Sequence, residues 1–364
     1  MNFRGIFSHS NKKDVGLGID IGTVGIKVAQ ISRLGAGLTL SNYAVMELTN
    51  RSDMLNNALQ SSSMHPLSPD LQAFLTDIRK RAGFATLTAN LSLPAFIAQT
   101  ALIDVPSSTD SQKTLESAAL EAAGSYLPLP LTETTIRWVH VGEVMHEGGV
   151  KHQKILFMAI PTERVNQYID VAKRAGFTIG DVELESVSLA RVITAQTEKP
   201  TLVIDIGGRS STCSVVKNGL LYGISQTDFS SDSTTQSVAQ ALAISAPRAE
   251  ALKRQTVMSS AAGGHELSTI VAPIIGAILG EGERVRKTFE ETMGESVAQI
   301  ILSGSGARLQ GLHTYIADIA KLPMSMASPI GTTVAYPPEL ATLLPELNAA
   351  LPVALGLALK NLNP

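Results

Sequence analysis

The chain has 364 residues, of which 44% are apolar and 17% are charged, and its formal net charge is −3. This length is more than one ordinary hydrophobic core accommodates, and the composition is that of a globular protein, so we expect two domains. No long block of Lys or Arg gives an electrostatic reason to bind nucleic acid or anionic lipid, and the single cysteine, Cys213, excludes an internal disulfide framework.

Two segments bear on the cellular location. Residues 1–14 mix basic side chains with no continuous apolar run, so they do not predict a secretory signal. The apolar stretch 270–279 lies between Glu266 and Glu281 and is far shorter than the roughly 20 residues that span a bilayer. We therefore expect a cytoplasmic protein without direct membrane insertion, whose membrane association depends on a partner.

The first part of the chain opens with a three-stranded hairpin design. An apolar strand over 15–20 runs into Ile19-Asp20-Ile21-Gly22, and further strands are predicted over 26–32 and 38–46. Amphipathic patterns predict helices over 70–81 and 163–175. Residues 90–147 between these helices predict a small unit of strand, helix and strand, with its helix over 111–123.

The same design occurs a second time. Strands are predicted over 201–206, 211–217 and 220–227, and the first ends in the same four residues, Ile204-Asp205-Ile206-Gly207. Asn218-Gly219 between the last two strands is typical of a type I′ hairpin turn. The chain therefore contains two copies of one supersecondary unit.

Helical patterns follow the second hairpin set. They cover 233–242, 246–255 and 266–293, and Pro273 with several glycines predicts that the last helix is kinked or broken. Small residues over 259–264 predict a surface loop.

A strand over 299–302 then leads through Gly304-Ser305-Gly306 to a predicted helix over 309–321. A small-residue turn at a helix N-terminus suits a nucleotide for steric and dipolar reasons.

A strand that ends in Asp-x-Gly has a specific chemistry. Glycines leave no Cβ to block an anion, so successive N–H groups can point at phosphate oxygens, and the hydroxyls of Thr23, Ser210 and Ser211 add donors. The carboxylates of Asp20 and Asp205 repel phosphate but suit a Mg²⁺ ion held through water. Two such loops predict a clamp around the phosphates of a nucleotide.

The order of these loops resembles the actin-like ATPases, which include actin, FtsA, MreB, sugar kinases and heat-shock chaperones. The resemblance implies an α/β fold of two RNase H-like lobes around a cleft that holds ATP and Mg²⁺, with Asp20 and Asp205 at the metal. It also implies that the following residues contact the nucleotide: Gly22, Thr23, Val24, Gly25, Lys27, Gly207, Gly208, Arg209, Ser210, Ser211, Glu250, Lys253, Gly304, Ser305 and Gly306.

Three of the acidic and basic candidates have a second interpretation. Glu185 is similar to the glutamate that faces the nucleotide in FtsA-like proteins, which makes it the candidate catalytic residue, but an acid at a helix N-terminus is also favourable through the dipole. Glu250 and Lys253 match a helix that touches ribose and adenine, but they also match an ordinary ion pair on an exposed helix.

Two positions depart from the superfamily pattern. Arg209 stands where the family prefers a small residue, and Ser305 replaces the usual middle glycine of the third loop. We therefore expect nucleotide binding with at most slow ATP hydrolysis.

Beyond the loops, the chain is similar to the PilM family of type IV pilus assembly proteins over nearly its whole length. Leu93-Pro94, Glu121 and the segment 126–130 resemble the inserted subdomain that PilM shares with FtsA, and the end of the chain carries no FtsA-like basic amphipathic helix. The resemblance implies a scaffold at the inner membrane. It implies as partners the N-terminal peptide of a PilN-like membrane protein, held beside the inserted subdomain, and the pilus motor ATPases.

The resemblance also implies a domain plan. The first lobe comprises 14–90 and 151–200, the inserted subdomain comprises 91–150, and the second lobe comprises 201–340. Within the second lobe the core is 201–230 and 295–340, and a smaller subdomain is 231–294. Residues 341–364 are expected to form a C-terminal helix that packs back on the first lobe.

Two other functions fit the same fold. A sugar-kinase-like phosphotransferase needs an acid that accepts a hydroxyl proton, for which Asp104 and Asp228 are the best candidates. A filament-forming protein similar to FtsA or MreB is the second alternative.

Overall fold

A computed structural model of the chain describes residues 2–5, 14–47, 70–106, 117, 120–121, 124, 130–145, 151–193, 198–255, 258 and 266–362. These residues form an α/β protein with three β-sheets. The predicted loop over 259–264 and most of the predicted helix over 111–123 lie outside the described residues.

The described strands are numbered in chain order: β1 (Asn2–Gly5), β2 (Val15–Gly22), β3 (Gly25–Leu34), β4 (Gly37–Glu47), β5 (Thr88–Leu93), β6 (Gln99–Pro106), β7 (Thr134–Met145), β8 (Lys151–Pro161), β9 (Thr178–Leu184), β10 (Thr201–Ile206), β11 (Ser211–Lys217), β12 (Leu220–Thr227), β13 (Gln299–Ser303) and β14 (Met324–Met326).

The helices are α1 (Asp70–Ala82), α2 (Thr162–Arg174), α3 (Glu185–Ile193), α4 (Ser231–Ala241), α5 (Ala246–Gln255), α6 (Glu266–Met293), α7 (Leu312–Ala320), α8 (Pro329–Thr332), α9 (Leu344–Ala350) and α10 (Pro352–Leu359). Short 3-10 turns occupy Ala95–Ile97, Leu131–Glu133, Ser305–Arg308 and Pro338–Leu343.

The two larger sheets share one design. The first has the order β4-β3-β2-β5-β9, with β1 added beside β4, and the second has the order β12-β11-β10-β13-β14. In each sheet three antiparallel strands continue into two parallel strands. The predicted repeat is confirmed, and its six strands begin and end within two residues of the predicted bounds.

The third sheet has the order β6-β8-β7 and is antiparallel throughout. It extends to Pro161, past the expected boundary at residue 150, because β8 pairs with both β6 and β7. Ile155 and Phe157 of β8 pack into a small core of this sheet, whereas Met158 and Ile160 pack into the core of the first lobe. The strand β8 therefore joins the inserted sheet to the first lobe.

The C-terminal helix α10 is buried along its whole length and lies against β2. A Cβ atom on Gly16 would lie 2.0 Å from the Ala358 carbonyl oxygen, and one on Gly18 would lie 2.1 Å from that of Ala354. Only glycine permits this separation between helix and strand. These two glycines fix where the end of the chain docks.

The sequence predicts a kink or a break in the long helix, and of these the break is wrong, because α6 is continuous from Glu266 to Met293. Pro273 removes one intrahelical N–H, but Val271, Ile274 and Ile278 on the same helix are buried in the core. Tertiary packing of this apolar face therefore outweighs the local cost of the proline.

The predicted start of the helix at 309 is also wrong. A 3-10 turn covers Ser305–Arg308, and α7 begins only at Leu312, because Gly311 has a left-handed φ of 75° and approaches the Met258 backbone. The loop Gly304-Ser305-Gly306 therefore does not lie at the N-terminus of α7, and the dipolar reason for placing a nucleotide there does not apply.

Among the described residues, no single helix has the length and apolar composition needed to cross a bilayer. The segments Pro338–Ala350 and Pro352–Leu359 meet those criteria only together, as a pair bent by 86°.

Candidate functional site

The first candidate carboxylate, Asp20, lies near the carboxyl end of β2 and is 5% exposed. Ser92 on the neighbouring parallel strand β5 donates to Asp20 Oδ1 at 2.8 Å, and Lys27 Nζ lies 3.5 Å from Oδ2. Ser92 Oγ also accepts from the Ile21 backbone N–H. Asp20 is thus held in place by the strand on each side of β2. Sequence reasoning missed Ser92. The only sequence signal for its role was its position near the end of a strand that pairs with β2.

The second candidate carboxylate, Asp205, lies at the equivalent position of β10. Burial raises its pKa and the charge of Asp20 adds to this effect, while a hydrogen bond from Ser303 and the charge of Lys27 oppose it. Because Asp20 and Lys27 belong to the first lobe, these electrostatic effects cross the cleft. The structure therefore brings the two repeated carboxylates together.

Glu185 is the first residue of α3 and joins the same group. Its Oε1 accepts a hydrogen bond from the Ala95 backbone N–H at 3.0 Å. Burial raises the pKa of Glu185 to about 8, and the charges of Asp20 and Asp205 raise it further. The hydrogen bond from Ala95 and the charge of Lys27 act in the opposite direction and lower it. The raised pKa favours the protonated form of Glu185, in contrast to an ordinary acid at an exposed helix N-terminus.

Tyr168 of α2 is a further neighbour that sequence reasoning missed. Burial raises the pKa of its hydroxyl, and the charges of Glu185 and Asp20 raise it further. Its side chain is 7% exposed. A tyrosine on an amphipathic helix gives no sequence signal beyond core packing, so its place beside the carboxylates is a result of the tertiary fold.

The glycine loops approach one another closely. A Cβ on Gly208 would lie 2.4 Å from Val24 Cγ2, which puts the first loop directly against the second. A Cβ on Gly304 would lie 2.8 Å from Asp205 Oδ1, and one on Gly306 would lie 2.4 Å from Ile206 Cγ2. All three predicted loops therefore meet around the end of β10.

The second loop is also attached to α4. The backbone N–H groups of Ser231 and Asp232 donate to the carbonyl oxygens of Gly207 and Gly208 at 3.1 and 2.8 Å. The Ser211 hydroxyl donates to the Phe229 carbonyl at 2.7 Å. The proton of this hydroxyl is thus used within the lobe, and a contact of Ser211 with phosphate stays a prediction.

Glu250 and Lys253 form a separate charged cluster behind the second loop. Lys253 Nζ lies 2.6 Å from Glu250 Oε2, 2.8 Å from Ser231 Oγ and 2.8 Å from Thr235 Oγ1, which uses its three donors. Although burial works against it, hydrogen bonds from Lys253, Thr235 and Arg254 lower the pKa of Glu250 to about 2. The pair links α5 to α4, and its contact with a ribose stays a prediction.

The alternative acids do not join the carboxylate group. Asp104 forms an ion pair with Lys154 in the third sheet. Neither Asp104 nor Asp228 is among the charges that shift the pKa of Glu185 or Asp205.

The residues present fit a magnesium nucleotide. The glycines let the three loops pack against one another at the strand ends, and two carboxylates from opposite lobes act on each other electrostatically there. No group of three or more His, Cys, Asp or Glu side chains in the described part of the chain is close enough to bind a metal directly. The donor set therefore suits an ion held through water and phosphate oxygens.

A second concave feature is a groove of about 220 Å³ beside the third sheet. It lies between β9 and β7, which are terminal strands of their sheets, and the α2 helix. Its apolar lining includes Leu93, Val165 and Ile179, and its polar lining includes Arg137 and Asp181.

The family model of the type IV pilus assembly protein PilM matches residues 18–362 of the sequence. The chain belongs to the PilM family. The match spans both repeated hairpin units, the inserted sheet and α10.

Solved structures share the fold of this chain. The chain is similar to a PilM–PilN type IV pilus biogenesis complex, with a TM-score of 0.78 and 20% identity over 96% of this chain and 99% of the solved chain. It is also similar to the ethanolamine utilization protein EutJ from Carboxydothermus hydrogenoformans, with a TM-score of 0.52 and 14% identity over 96% and 92%. A third similar structure is MreB5 of Spiroplasma citri bound to ADP, with a TM-score of 0.53 and 13% identity over 95% of this chain and 95% of the solved chain. The actin-like ATPase fold expected from the sequence is confirmed.

Proposed function

We propose that this PilM-family chain is a cytoplasmic scaffold of type IV pilus biogenesis that binds Mg·ATP between its lobes and the N-terminal peptide of a PilN-like inner-membrane protein in the groove. The observation that carries the nucleotide site is the meeting of Asp20, Asp205 and Lys27 at three glycine loops. The family assignment and the likeness to a PilM–PilN complex support the partner.

In the nucleotide site, each element has a separate task. Backbone N–H groups of the first two loops bind phosphate oxygens, Lys27 adds a positive charge, and the third loop, packed against the end of β10 at Gly304 and Gly306, contacts the nucleoside. Asp20 and Asp205 orient water molecules around Mg²⁺. The ion, when bound, neutralises phosphate charge and holds the nucleotide to both lobes.

We infer that hydrolysis, if the chain performs it, is slow. A general base accepts a proton only when it is ionised, and Glu185 has a pKa of about 8. At pH 7 roughly one molecule in ten carries the ionised carboxylate. This supports a role for ATP in assembly rather than in rapid turnover.

The groove suits an extended peptide for two reasons. The described residues place no further strand beside β9 or β7, so main-chain N–H and C=O groups at both edges are available for strand addition. Apolar lining residues such as Leu93 and Val165 can bury alternate side chains of such a peptide, and Arg137 can pair with an acidic side chain.

Nucleotide and peptide sites are joined through one hydrogen bond. Glu185 accepts from Ala95, and the turn Ala95–Ile97 lies between Leu93 of the groove and the start of the third sheet. We propose that nucleotide state changes the angle between the lobes and, through this turn, the affinity of the groove and contacts with the pilus motor ATPases.

A peptide-binding measurement tests the partner. We expect Ile179→Asp to weaken binding of a labelled N-terminal peptide of a PilN-like protein at least about tenfold in fluorescence anisotropy, because a carboxylate enters the apolar wall. Thr178→Asp, on the exposed neighbouring position of β9, is the matched control and keeps wild-type affinity. Equal affinity of both variants would remove the groove as the docking site.

A further inference from the structure

The third sheet has two apolar faces, and each packs against a different part of the molecule. On one face, Ile155 and Phe157 pack in the small core of the sheet itself. On the other face, Leu102, Leu156 and Val139 lie side by side on the three strands and pack against the large core. β12, a terminal strand of the second large sheet, lies against β6, β7 and β8. A sheet inserted in the first lobe is therefore also attached to the second lobe.

A β-bulge in β7 adds to this attachment. The pairing of β7 with β8 shifts between His140 and Gly142, so that Val141 is an extra residue on β7. The Val141 side chain is 3% exposed and packs in the large core, which also holds Tyr222 and Phe289 of the second lobe. Bulges commonly redirect a side chain out of the regular alternation of a strand. Here the bulge directs one apolar side chain of the third sheet into the large core.

The residue after the bulge contacts the end of α6. Gly142 has a φ of 153°, which favours glycine, and a Cβ there would lie 3.1 Å from Cε of Met293, the last residue of α6. Phe289, one turn earlier on α6, packs edge-to-face against Tyr222 of β12, with 5.5 Å between the ring centroids. The end of α6 and β12 are thus held to each other where β7 meets them. We call Val141 and Gly142 the bulge contact.

The same strand forms one wall of the groove. Thr135 and Arg137 of β7 line the groove, together with Ile179 of β9 and Val165 of α2 in the first lobe. At about 3.3 Å per residue, Arg137 lies about 13 Å along β7 from Val141. One wall of the groove is therefore fixed to the second lobe within a short stretch of strand, whereas the other walls belong to the first lobe.

A rotation of the two lobes has to displace this strand. The end of β8 stays with the first lobe, because Met158 and Ile160 pack in its core, while the bulge contact stays with the second lobe. Close-packed contacts of this kind move as units rather than stretch. We propose that β7 transmits the angle between the lobes to the groove through the bulge contact. Val141 is then a positioning residue for the peptide, acting through β7.

The inference rests on the proposed nucleotide and peptide sites, and it adds a route separate from the turn Ala95–Ile97. Its test is the coupling factor, which is the ratio of the peptide dissociation constants without and with saturating Mg·ATP. The probe is the labelled N-terminal peptide of a PilN-like protein, followed by fluorescence anisotropy. In wild type we expect Mg·ATP to change peptide affinity at least about fivefold in either direction. Val141→Ala should bring this factor at least about threefold closer to one and leave ATP affinity without peptide within about twofold.

Two further variants separate coupling from general loss of packing. Val105→Ala is the matched control, because Val105 is a valine of the same sheet, 1% exposed, that packs in the small core on the opposite face. It should keep the wild-type coupling factor. Met293→Ala removes the contact from the side of the second lobe and should reduce coupling as Val141→Ala does. Because Met293 is only partly buried, this variant decides the question if Val141→Ala does not fold.

The outcomes are distinct. A wild-type coupling factor in Val141→Ala, or in Met293→Ala where Val141→Ala does not fold, overturns the inference. An equal loss of coupling in Val105→Ala overturns it as well, because the effect would then come from a softened sheet. A wild-type chain that binds peptide and ATP independently of each other also contradicts it. Failure of the wild-type chain to bind the peptide or ATP at all refutes the proposed function itself, which is a different result.

Discussion

The carboxylate of Glu185 accepts a hydrogen bond from the backbone N–H of Ala95, with 3.0 Å between Oε1 and N. Glu185 begins α3 in the carboxylate group of the cleft, whereas Ala95 begins the turn that leads into the third sheet. One bond therefore connects the candidate catalytic group with the segment that carries the inserted sheet.

The protonation of Glu185 predicts a dependence of stability on pH. Its pKa is about 8 in the folded chain against an ordinary value of 4.5, so between these values the folded state keeps a proton that the unfolded state releases. The free energy of unfolding therefore falls as the pH rises from about 4.5 to about 8. Glu185→Gln keeps the acceptor for Ala95 but does not titrate. We expect its stability advantage over wild type, measured by urea unfolding, to grow between pH 5 and pH 9. Parallel pH profiles of the two proteins would show that Glu185 is ionised in the folded state.

Lys253 should be a stabilising link rather than a surface residue. It is 7% exposed and holds Glu250, Ser231 and Thr235 together behind the second loop. We expect Lys253→Met to lower the free energy of unfolding by about 3 kcal/mol, because Glu250 loses its buried partner. Arg254→Met, which removes the exposed partner of the same glutamate, should cost less than about 1 kcal/mol. Equal effects of the two substitutions in denaturant unfolding would contradict the assignment.

The contact between the first two loops predicts a compensating pair of substitutions. A methyl group on Gly208 overlaps the Val24 side chain, so Gly208→Ala should weaken ATP binding and lower stability by about 1–2 kcal/mol. The double variant with Val24→Ala should recover most of both losses, because the space is restored. Calorimetry and thermal unfolding of the four proteins form a double-mutant cycle. Additive losses would mean that the two lobes do not touch at these residues.

Local patterns predicted the framework of the fold well. The two hairpin units follow from alternating strands, the Ile-Asp-Ile-Gly repeat and the Asn218-Gly219 turn, since each of these is decided by short-range geometry. The errors occurred where tertiary packing decides. Pro273 does not break α6, because the buried face of the helix holds it, and Gly311 delays α7, because it packs against Met258.

The candidate site was predictable in part. The strand ends that carry Asp20 and Asp205 were identified because a repeated motif occupies equivalent places in two sheets. Ser92 was not identified, since its hydroxyl meets Asp20 only after distant strands pair, and Tyr168 was not identified either, since its burial near these charges depends on the packing of α2.

The most direct test of the account compares Mg²⁺-dependent and Mg²⁺-independent ATP binding in Asp20→Asn and Asp205→Asn. If the two carboxylates hold a hydrated ion at the phosphates, each variant should bind Mg·ATP at least about tenfold more weakly than wild type in calorimetry. In EDTA each should bind ATP as well as wild type or better, since a charge that repels phosphate is gone. Variants that keep wild-type affinity for Mg·ATP would contradict the proposal that these residues form a magnesium nucleotide site between the lobes.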